Sequence, residues 1–399
     1  MDSKRYICIF GGGAIRGVVY PGAVKALEEL EIEIPTYVGS SVGAIFAALC
    51  SVGYKSSDLG KILHEFNAFM FKDINFSLGE FSLSKGEIFE NWLREKIESA
   101  FYKDEYKKGE SKPVKFSDIE KDIFVLSTDI KTNKRFVFSK YSTPDFELAK
   151  AVRISSSFPG LMKPAEIDDR ILVDGDLAKS LPLWKGIDDL KDEDCRILEF
   201  RLEGNCMNLK SVLDYMNTVY GSMSYFCSEN LENIFGEKDK FDYILIDTKD
   251  VFLFDFQMSN DEKDKLAQIG YDTTIKYFTK TLVDKKRLLL TFYEKVYDGL
   301  KKLKLQVQKN NVKEIKNLLI KIALQKDEFS KNADPDLIFE TKNVLANLSE
   351  DLSENLFGFM NSVNNYRNHL EKIEALVAKY EHRVSDFSAY IKEFSEKYV

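Results

Sequence analysis

The chain has 399 residues, 44% of them hydrophobic, which is enough for a large apolar core divided among two or three domains. Its formal net charge of −8 argues against nonspecific binding to nucleic acid. The segment 2–5, in which three of four residues are charged, precedes an apolar stretch of only five residues. That stretch is too short for a signal peptide or a membrane span. A cytoplasmic protein is therefore expected. Peripheral attachment to membranes and secretion without a classical signal peptide are the alternatives that this sequence leaves open.

The first predicted element is a buried strand over Tyr6–Phe10, followed by the glycine-rich loop 11–17 and an apolar helix. Such a loop presents backbone amides to an anion near a helix N-terminus. The dinucleotide-binding pattern G-x-G-x-x-G fails in both registers, because Arg16 and Ala14 occupy positions that need glycine. The loop instead suits an oxyanion hole, in which amides stabilise charge on a carbonyl oxygen.

The second element is the pentapeptide 39–43, which has the pattern G-x-S-x-G between a short strand and an apolar helix. This pattern places a serine, here Ser41, on a tight strand-to-helix turn with its hydroxyl exposed to substrate. Taken alone the pattern is weak, since a serine at this position is also a common helix N-cap. The loop upstream and an aspartate downstream favour a nucleophile.

The third element is a strand over 171–174 that ends in Asp174-Gly175, a common place for a catalytic carboxylate. A Ser-Asp-His triad would need a histidine soon after Asp174. The next histidine along the chain is His369, far into a helical segment, and His64 lies upstream in an amphipathic helix. A serine–aspartate dyad therefore fits better than a triad.

The order of glycine-rich loop, G-x-S-x-G and Asp-Gly resembles the patatin-like phospholipases over about residues 5–280. Two further segments are similar to that family, Leu83–Gly86 ahead of a helix with Trp92, and the small-residue turn Arg153–Gly160. The resemblance implies a three-layer α/β sandwich with a largely parallel sheet. The alternation of strand-like and helix-like segments in residues 1–282 independently favours α/β architecture.

The resemblance also implies a lipid acyl hydrolase of the phospholipase A or lysophospholipase type, with the phospholipid membrane surface as substrate. It needs no cofactor, and the five irregularly spaced cysteines indicate reduced core thiols rather than a metal site. The residues implied are the catalytic Ser41 and Asp174; the oxyanion and substrate-binding Gly12, Gly13, Ala14 and Arg16; and the motif glycines Gly39, Gly43 and Gly175.

The chain departs from the family pattern at two positions, Ala14 in the loop and Asp176 after Asp174-Gly175. Asp176 would either perturb Asp174 by like-charge repulsion or face solvent, and we expect it at the surface, as for Lys163, Asp168 and Asp169. Arg16, the loop's one charge, is equally compatible with steering a phosphate headgroup and with pairing a structural carboxylate. The segment 69–115, rich in Phe and Lys, is either a cover over the active site or an ordinary helical insertion.

Residues 283–399 are predicted to form a helical domain. Asp334-Pro335 is a helix start signal, and apolar residues from Leu345 to Phe394 recur in steps of three and four, a heptad-like seam. Residues 276–331 carry 15 basic and 6 acidic residues, whereas 334–399 carry 7 basic and 12 acidic residues. Opposite charges favour a helical hairpin or bundle that packs on itself. The alternative roles of these helices are self-association, docking of an activator and binding of anionic lipid.

Three hypotheses of function follow from these observations. The first is a lipid acyl hydrolase that uses Ser41 and Asp174. The second is a catalytically silent interaction protein that acts through its helical domain, which intact Ser41 and Asp174 argue against. The third keeps the enzyme but makes it a regulated, membrane-damaging effector with weak basal activity.

Overall fold

The computed structural model describes residues 4–67, 82–178, 195–204, 241–249, 251–253, 257–324, 333–354 and 363–397, with the single residues 215, 218 and 255. The chain divides into two compact units, one of residues 1–236 with 241–275 and one of residues 237–240 with 276–399. This division falls a few residues before the predicted domain boundary at 282, which stays a prediction.

The first unit is built on a mixed sheet of eight strands, with a second, two-stranded sheet beside it. The strands are β1 (Arg5–Phe10), β2 (Glu33–Ser40), β3 (Ser82–Ser84), β4 (Asp122–Asp129), β5 (Lys134–Phe138), β6 (Gly160–Met162), β7 (Ala165–Ile167), β8 (Arg170–Asp174), β9 (Arg196–Glu203) and β10 (Phe241–Asp247).

The large sheet has the order β10-β9-β1-β2-β4-β8-β7, with β5 also paired to β4. The strands β10, β9, β1, β2 and β4 run parallel, whereas β5, β7 and β8 join by antiparallel pairing. The predicted α/β class with a largely parallel sheet is thus confirmed. The antiparallel edge was not predicted, because short alternating strands do not reveal their direction from local sequence.

Helices of the first unit cover this sheet, and the most buried of them follows β2 directly. The helices are α1 (Tyr20–Glu29), α2 (Val42–Ser51), α3 (Ser56–Glu65), α4 (Glu87–Tyr102), α5 (Leu148–Ser155) and α6 (Asn260–Lys276). All ten residues of α2 are buried, as its nearly continuous apolar sequence VGAIFAALCS requires. Because α2 is packed on every side, its N-terminus is held firmly at the end of β2.

The second unit contains a π-helical turn (Tyr277–Thr281) and four described α-helices, α7 (Leu282–Gln308), α8 (Val312–Leu324), α9 (Pro335–Glu354) and α10 (Val363–Lys397). They share one apolar core to which each contributes, for example Leu300, Ile315, Leu348 and Tyr380. The predicted helical C-terminal region is therefore confirmed, and its described helices form a self-packed bundle.

Local signals in this bundle were predicted correctly. Asp334 caps α9, since its Oδ1 accepts hydrogen bonds from the amides of Asp336 at 3.0 Å and Leu337 at 3.3 Å. The basic α7 meets the acidic α10 through an ion pair of Lys304 with Glu374 at 2.9 Å. Part of the predicted seam, including Leu356 and Phe359, lies outside the described residues.

Among the described residues, every helix is too short or too polar to cross a bilayer. The Phe/Lys-rich start of the predicted cover, residues 69–81, lies outside the described part of the chain, as do Cys206 and Cys227. The remainder, from 82 on, contains β3 and α4. The three described cysteines, Cys8, Cys50 and Cys195, are buried and form no disulfide.

Candidate active site

The strand β4 brings the ends of β2 and β8 together. Its residues Leu126 and Ser127 pair with Ser40 of β2 and Asp174 of β8, respectively. Leu126 and Ser127 also pair with β5, which therefore runs along the other edge of β4. The strands β2 and β8 consequently lie end to end along the same edge of β4. The parallel strand β2 and the antiparallel strand β8 therefore both terminate at this point. Residue 41 and residue 174 are neighbours through this topology.

Ser41 lies on a strained turn between β2 and α2. Its backbone has φ 53° and ψ −127°, a conformation that L-residues rarely adopt, and 8% of the residue is exposed. It occupies the N-cap position of α2, but its side chain makes no capping hydrogen bond. The N-cap alternative for this serine is therefore wrong, and the hydroxyl is left for another partner.

That partner is Asp174. Ser41 Oγ donates a hydrogen bond of 2.6 Å to Asp174 Oδ2, and the carboxylate is 1% exposed. The other oxygen, Oδ1, accepts the backbone amide of Asp176 at 2.9 Å. Two bonds thus fix the orientation of the carboxylate, with one oxygen aimed at the serine.

The turn 153–160, singled out in the sequence, supports the serine from behind. Ser155 Oγ accepts the amide of Ser41 at 3.0 Å, and the carbonyl of Ser157 accepts the amide of Asp174 at 3.0 Å. Sequence reasoning did not assign Ser155 a role. Its only signal was its place in a run of three serines, which does not indicate which one contacts the turn.

The three motif glycines lie where neighbouring chain segments approach closely. A methyl group on Gly43 would collide with the backbone carbonyl of Phe10 at the end of β1, so only glycine lets α2 start this close to the sheet. Gly39 faces the backbone of Ala44, and Gly175 faces the carbonyl of Leu126.

The glycine-rich loop runs past the serine. A methyl group built on Gly12 would lie 2.8 Å from Ser41 Cβ, so the loop backbone lies against the side chain of Ser41. Within the described part of the chain, the amides of Gly13 and Ala14 have no acceptor, whereas the amide of Ile15 donates to Leu253. Gly13 and Ala14, with φ 153° and 49°, are thus the predicted oxyanion donors whose N–H groups remain available to a ligand.

Arg16, predicted to bind substrate, lies elsewhere. The residue is 5% exposed, and its guanidinium donates to the carbonyl of Val251 at 2.9 Å and to that of Gly204 at 3.2 Å. A side chain buried on two carbonyls does not reach out to a phosphate headgroup. The headgroup-steering role of Arg16 therefore lacks support, and the side chain ties the loop to the segments after β9 and β10.

Asp176 is the clearest correction. It was expected at the surface, yet it is 2% exposed, and its Oδ1 accepts the amide of Gly12 at 3.2 Å. The other three side chains assigned to the surface, Lys163, Asp168 and Asp169, are exposed as expected. Asp176 differs from them because it follows the buried end of β8 instead of standing on a strand-connecting turn.

Two of the three histidines bind carboxylates other than Asp174. His64 Nε2 lies 2.7 Å from Asp264 Oδ1, and His369 of the helical unit bonds Asp351. The third histidine, His382, is exposed on α10. The described residues contain no group of three or more potential ligands that would hold a metal ion.

An apolar cleft opens next to the loop and the serine. It begins at Ala14 of the loop and Val42, the residue after Ser41, and follows one face of α2 through Ile45, Phe46 and Leu49. Across it stand Ile62, Leu63, Phe66 and Trp92 of α3, its end and α4. All of these side chains are apolar or aromatic, and the space between them is only about 20 Å³. That is room for about one water-sized sphere, so the side chains must move apart before a hydrocarbon chain can enter.

The sequence of residues 8–185 matches the family model of the patatin-like phospholipases. Residues 8–185 are a patatin-like phospholipase domain. The glycine-rich loop, Ser41 and Asp174 all lie inside the matched segment, and the resemblance stated from sequence is confirmed for it.

Relatives of the patatin-like domain include two viral proteins. "Uncharacterized protein R571" of Acanthamoeba polyphaga mimivirus is 31% identical over 183 residues, which cover 45% of this chain and 60% of that protein. "Probable lipid hydrolase 463L" of Invertebrate iridescent virus 6 is 24% identical over 177 residues, covering 44% of this chain and 61% of the relative. The chain spans about three-fifths of the length of these relatives.

The solved structure of VipD from Legionella pneumophila resembles the chain beyond the patatin-like domain. It aligns with a TM-score of 0.52 and 16% identity, covering 98% of this chain and 92% of VipD. At this identity the likeness concerns the fold alone.

Proposed function

We propose that the chain is a lipid acyl hydrolase that cleaves carboxylic esters of membrane phospholipids through a Ser41–Asp174 dyad. The observation that carries the proposal is the hydrogen bond of 2.6 Å from Ser41 Oγ to Asp174 Oδ2, formed at a strained and buried turn. A nucleophile within hydrogen-bonding distance of its base, with free amides beside it, is the arrangement that acyl transfer requires.

The chemistry follows from these contacts. Ser41 Oγ attacks the ester carbonyl carbon while Asp174 Oδ2 takes its proton, and the carbonyl oxygen becomes an oxyanion that the amides of Gly13 and Ala14 stabilise. The N-terminus of α2 carries a partial positive charge, which stabilises negative charge that develops at Ser41. Collapse of the intermediate returns the proton to the leaving alcohol and leaves an acyl ester on Ser41. Water, activated by Asp174, then hydrolyses that ester.

The proposed substrate class rests on the apolar cleft. Its wall begins one residue from the nucleophile, so an acyl chain whose carbonyl carbon reaches Ser41 meets these apolar side chains and enters by displacing them. Each methylene buried there contributes about 0.8 kcal/mol to binding. The surface of a phospholipid bilayer, where such chains are packed, is the proposed partner, with the protein acting from the aqueous side.

The test compares the wild-type protein with Ser41→Ala and Asp174→Asn on a fluorogenic phospholipid in mixed liposomes, with products read by lipid mass spectrometry. Loss of the nucleophile or the base lowers turnover by at least about 10²–10⁴-fold. Glu166→Ala, an exposed carboxylate on β7, serves as the control and retains activity. Activity that survives in both dyad variants would refute the dyad.

A second candidate is an interaction protein that works through its helical unit. The observation in its favour is an apolar groove of about 640 Å³ between α8 and α9, walled also by Phe292 of α7 and Tyr380 of α10. The Ser41→Ala variant distinguishes the two candidates, because an interaction protein keeps its biological effect in this variant and a hydrolase does not. A regulated hydrolase shows weak basal turnover that rises when an activator engages these helices.

A further inference from the structure

Asp176 stands where the resembled family has a small residue, and it is a buried carboxylate beside the proposed dyad that the proposed reaction does not use. It lies two residues after the dyad aspartate, on the short helical turn Gly175–Ala178 that ends β8. A carboxyl group that is 2% exposed costs several kcal/mol to bury without partners. Its position is therefore maintained by specific contacts.

Those contacts join the two halves of the site. Asp176 Oδ1 accepts the amide of Gly12 at 3.2 Å, across 164 residues of sequence. The amide of Asp176 itself donates to Asp174 Oδ1 at 2.9 Å. One residue thus binds both the loop that carries the oxyanion donors and the carboxylate that takes the proton.

The contact with Gly12 determines which amides remain for substrate. The carboxyl group of Asp176 lies directly against the Cα of Gly12, beside Ser41 Cβ. With the Gly12 amide occupied, the next two, Gly13 and Ala14, are those without an acceptor in the described part of the chain. Of the three predicted donors, Gly13 and Ala14 are therefore the two that can form the oxyanion hole.

Basic side chains accompany this carboxylate. Burial lowers the pKa of Arg135, and the negative charges of Glu199 and Asp176 oppose that shift. Arg201 of β9 packs its stem 3.8 Å from the position a Gly11 side chain would take, next to the same loop. The surroundings therefore suit a negatively charged acceptor at position 176.

We infer that Asp176 is a positioning residue, which fixes the glycine-rich loop to the turn of the dyad aspartate so that Gly13 and Ala14 present the oxyanion hole. This inference rests on the proposed function. The positioning acts in the transition state, when charge develops on the carbonyl oxygen, and it leaves ground-state binding in the apolar cleft unchanged.

The test uses the full chain with two substitutions at this position and a soluble ester, p-nitrophenyl octanoate. Asp176→Ala removes the acceptor, and we expect kcat to fall about 10–100-fold with KM within about two-fold. Asp176→Asn keeps an oxygen that accepts the Gly12 amide, and we expect kcat within about three-fold of wild type. The rate at which a fluorophosphonate modifies Ser41, followed by intact mass, is expected to change in parallel.

Glu166→Ala is again the matched control, and circular dichroism with the midpoint of thermal unfolding reports whether each variant is folded. An unchanged or increased kcat in folded Asp176→Ala overturns the inference, the increase meaning that the carboxylate suppresses activity. Asp176→Asn as slow as Asp176→Ala also overturns it, since charge rather than the accepted bond would then matter. If wild type and Ser41→Ala are equally inactive, the proposed function itself has failed.

Discussion

At the scale of single residues, the site combines signals that are local in sequence with contacts that are not. Ser41 and Asp174 stand at predicted turns, because each follows a strand and is bounded by glycine, and both patterns are visible within five residues. The contacts of Asp176 with Gly12 and of Ser155 with Ser41 join residues more than 100 positions apart in the sequence. Local sequence therefore indicated the positions of Ser41 and Asp174, the proposed dyad, but not the residues that contact them.

Arg16 illustrates the same limit for charge. From sequence, a lone arginine in a glycine-rich loop suggests an exposed ligand for an anion. In the fold, the carbonyls of Gly204 and Val251 lie close enough to accept from it, and they satisfy the guanidinium inside the protein. The direction of a long side chain is set by which backbone groups the fold leaves nearby, and composition does not encode this.

The buried thiol of Cys50 gives a prediction on pH. Burial raises its pKa from 9.0 to about 12, whereas the unfolded chain ionises near the ordinary value. Between these values the unfolded state binds fewer protons, so the free energy of unfolding falls with pH, by a few kcal/mol in all. Below pH 9 this contribution is fully present.

Chemical denaturation at pH 8 and pH 10.5 measures the effect, with Cys50→Ala as the matched variant. The wild type is expected to lose more of its free energy of unfolding between the two pH values than the variant does. Equal losses in both proteins would contradict the assignment to this thiol.

At the scale of elements, the packing of α2 against the sheet governs the site. Gly43→Ala places a methyl group on the carbonyl of Phe10, which must push α2 away from β1. We expect a loss of roughly 3 kcal/mol in the free energy of unfolding, together with loss of hydrolysis. Urea denaturation and the ester assay measure the two effects.

A glycine in the neighbouring helix provides the opposite expectation. Gly60 lies inside α3, and a methyl group there meets no atom within 4 Å. Gly60→Ala is expected to stabilise the protein by about 0.5–1 kcal/mol and to leave activity unchanged. Similar effects of the two substitutions would show that the close approach of α2 to β1 is unimportant.

Secondary structure was the part of the fold that sequence described best. The strands at 6–10 and 171–174 and the start of α9 were predicted from apolar runs and a capping signal. The antiparallel direction of β8 was not predicted, although it is what brings Asp174 beside Ser40. Strand direction depends on the crossover that precedes a strand, and that is a tertiary property.

At the scale of the whole molecule, we propose that the two compact units are separate domains. The helical unit has its own apolar core, and Asp334 is central to it as the cap of α9 and the partner of Arg383. Asp334→Ala removes both interactions, at a cost of about 2 kcal/mol. We expect calorimetry to resolve two transitions, of which only the one for the helical unit moves.

Asp298→Ala, an exposed carboxylate on α7, is the control and is expected to shift neither transition. Ester hydrolysis measured between the two transitions identifies the one that belongs to the patatin-like domain. A single transition displaced as a whole by Asp334→Ala would mean that the chain unfolds as one cooperative body.

The strained backbone of Ser41 has a consequence for how the sequence is maintained. A glycine would adopt φ 53° and ψ −127° without strain, whereas serine bears a cost of order 1–3 kcal/mol there. Selection for stability alone would therefore replace this serine. Its presence means that the remaining fold has enough stability in reserve to keep the proposed nucleophile in an unfavourable conformation, and we expect Ser41→Gly to give a more stable protein without hydrolytic activity.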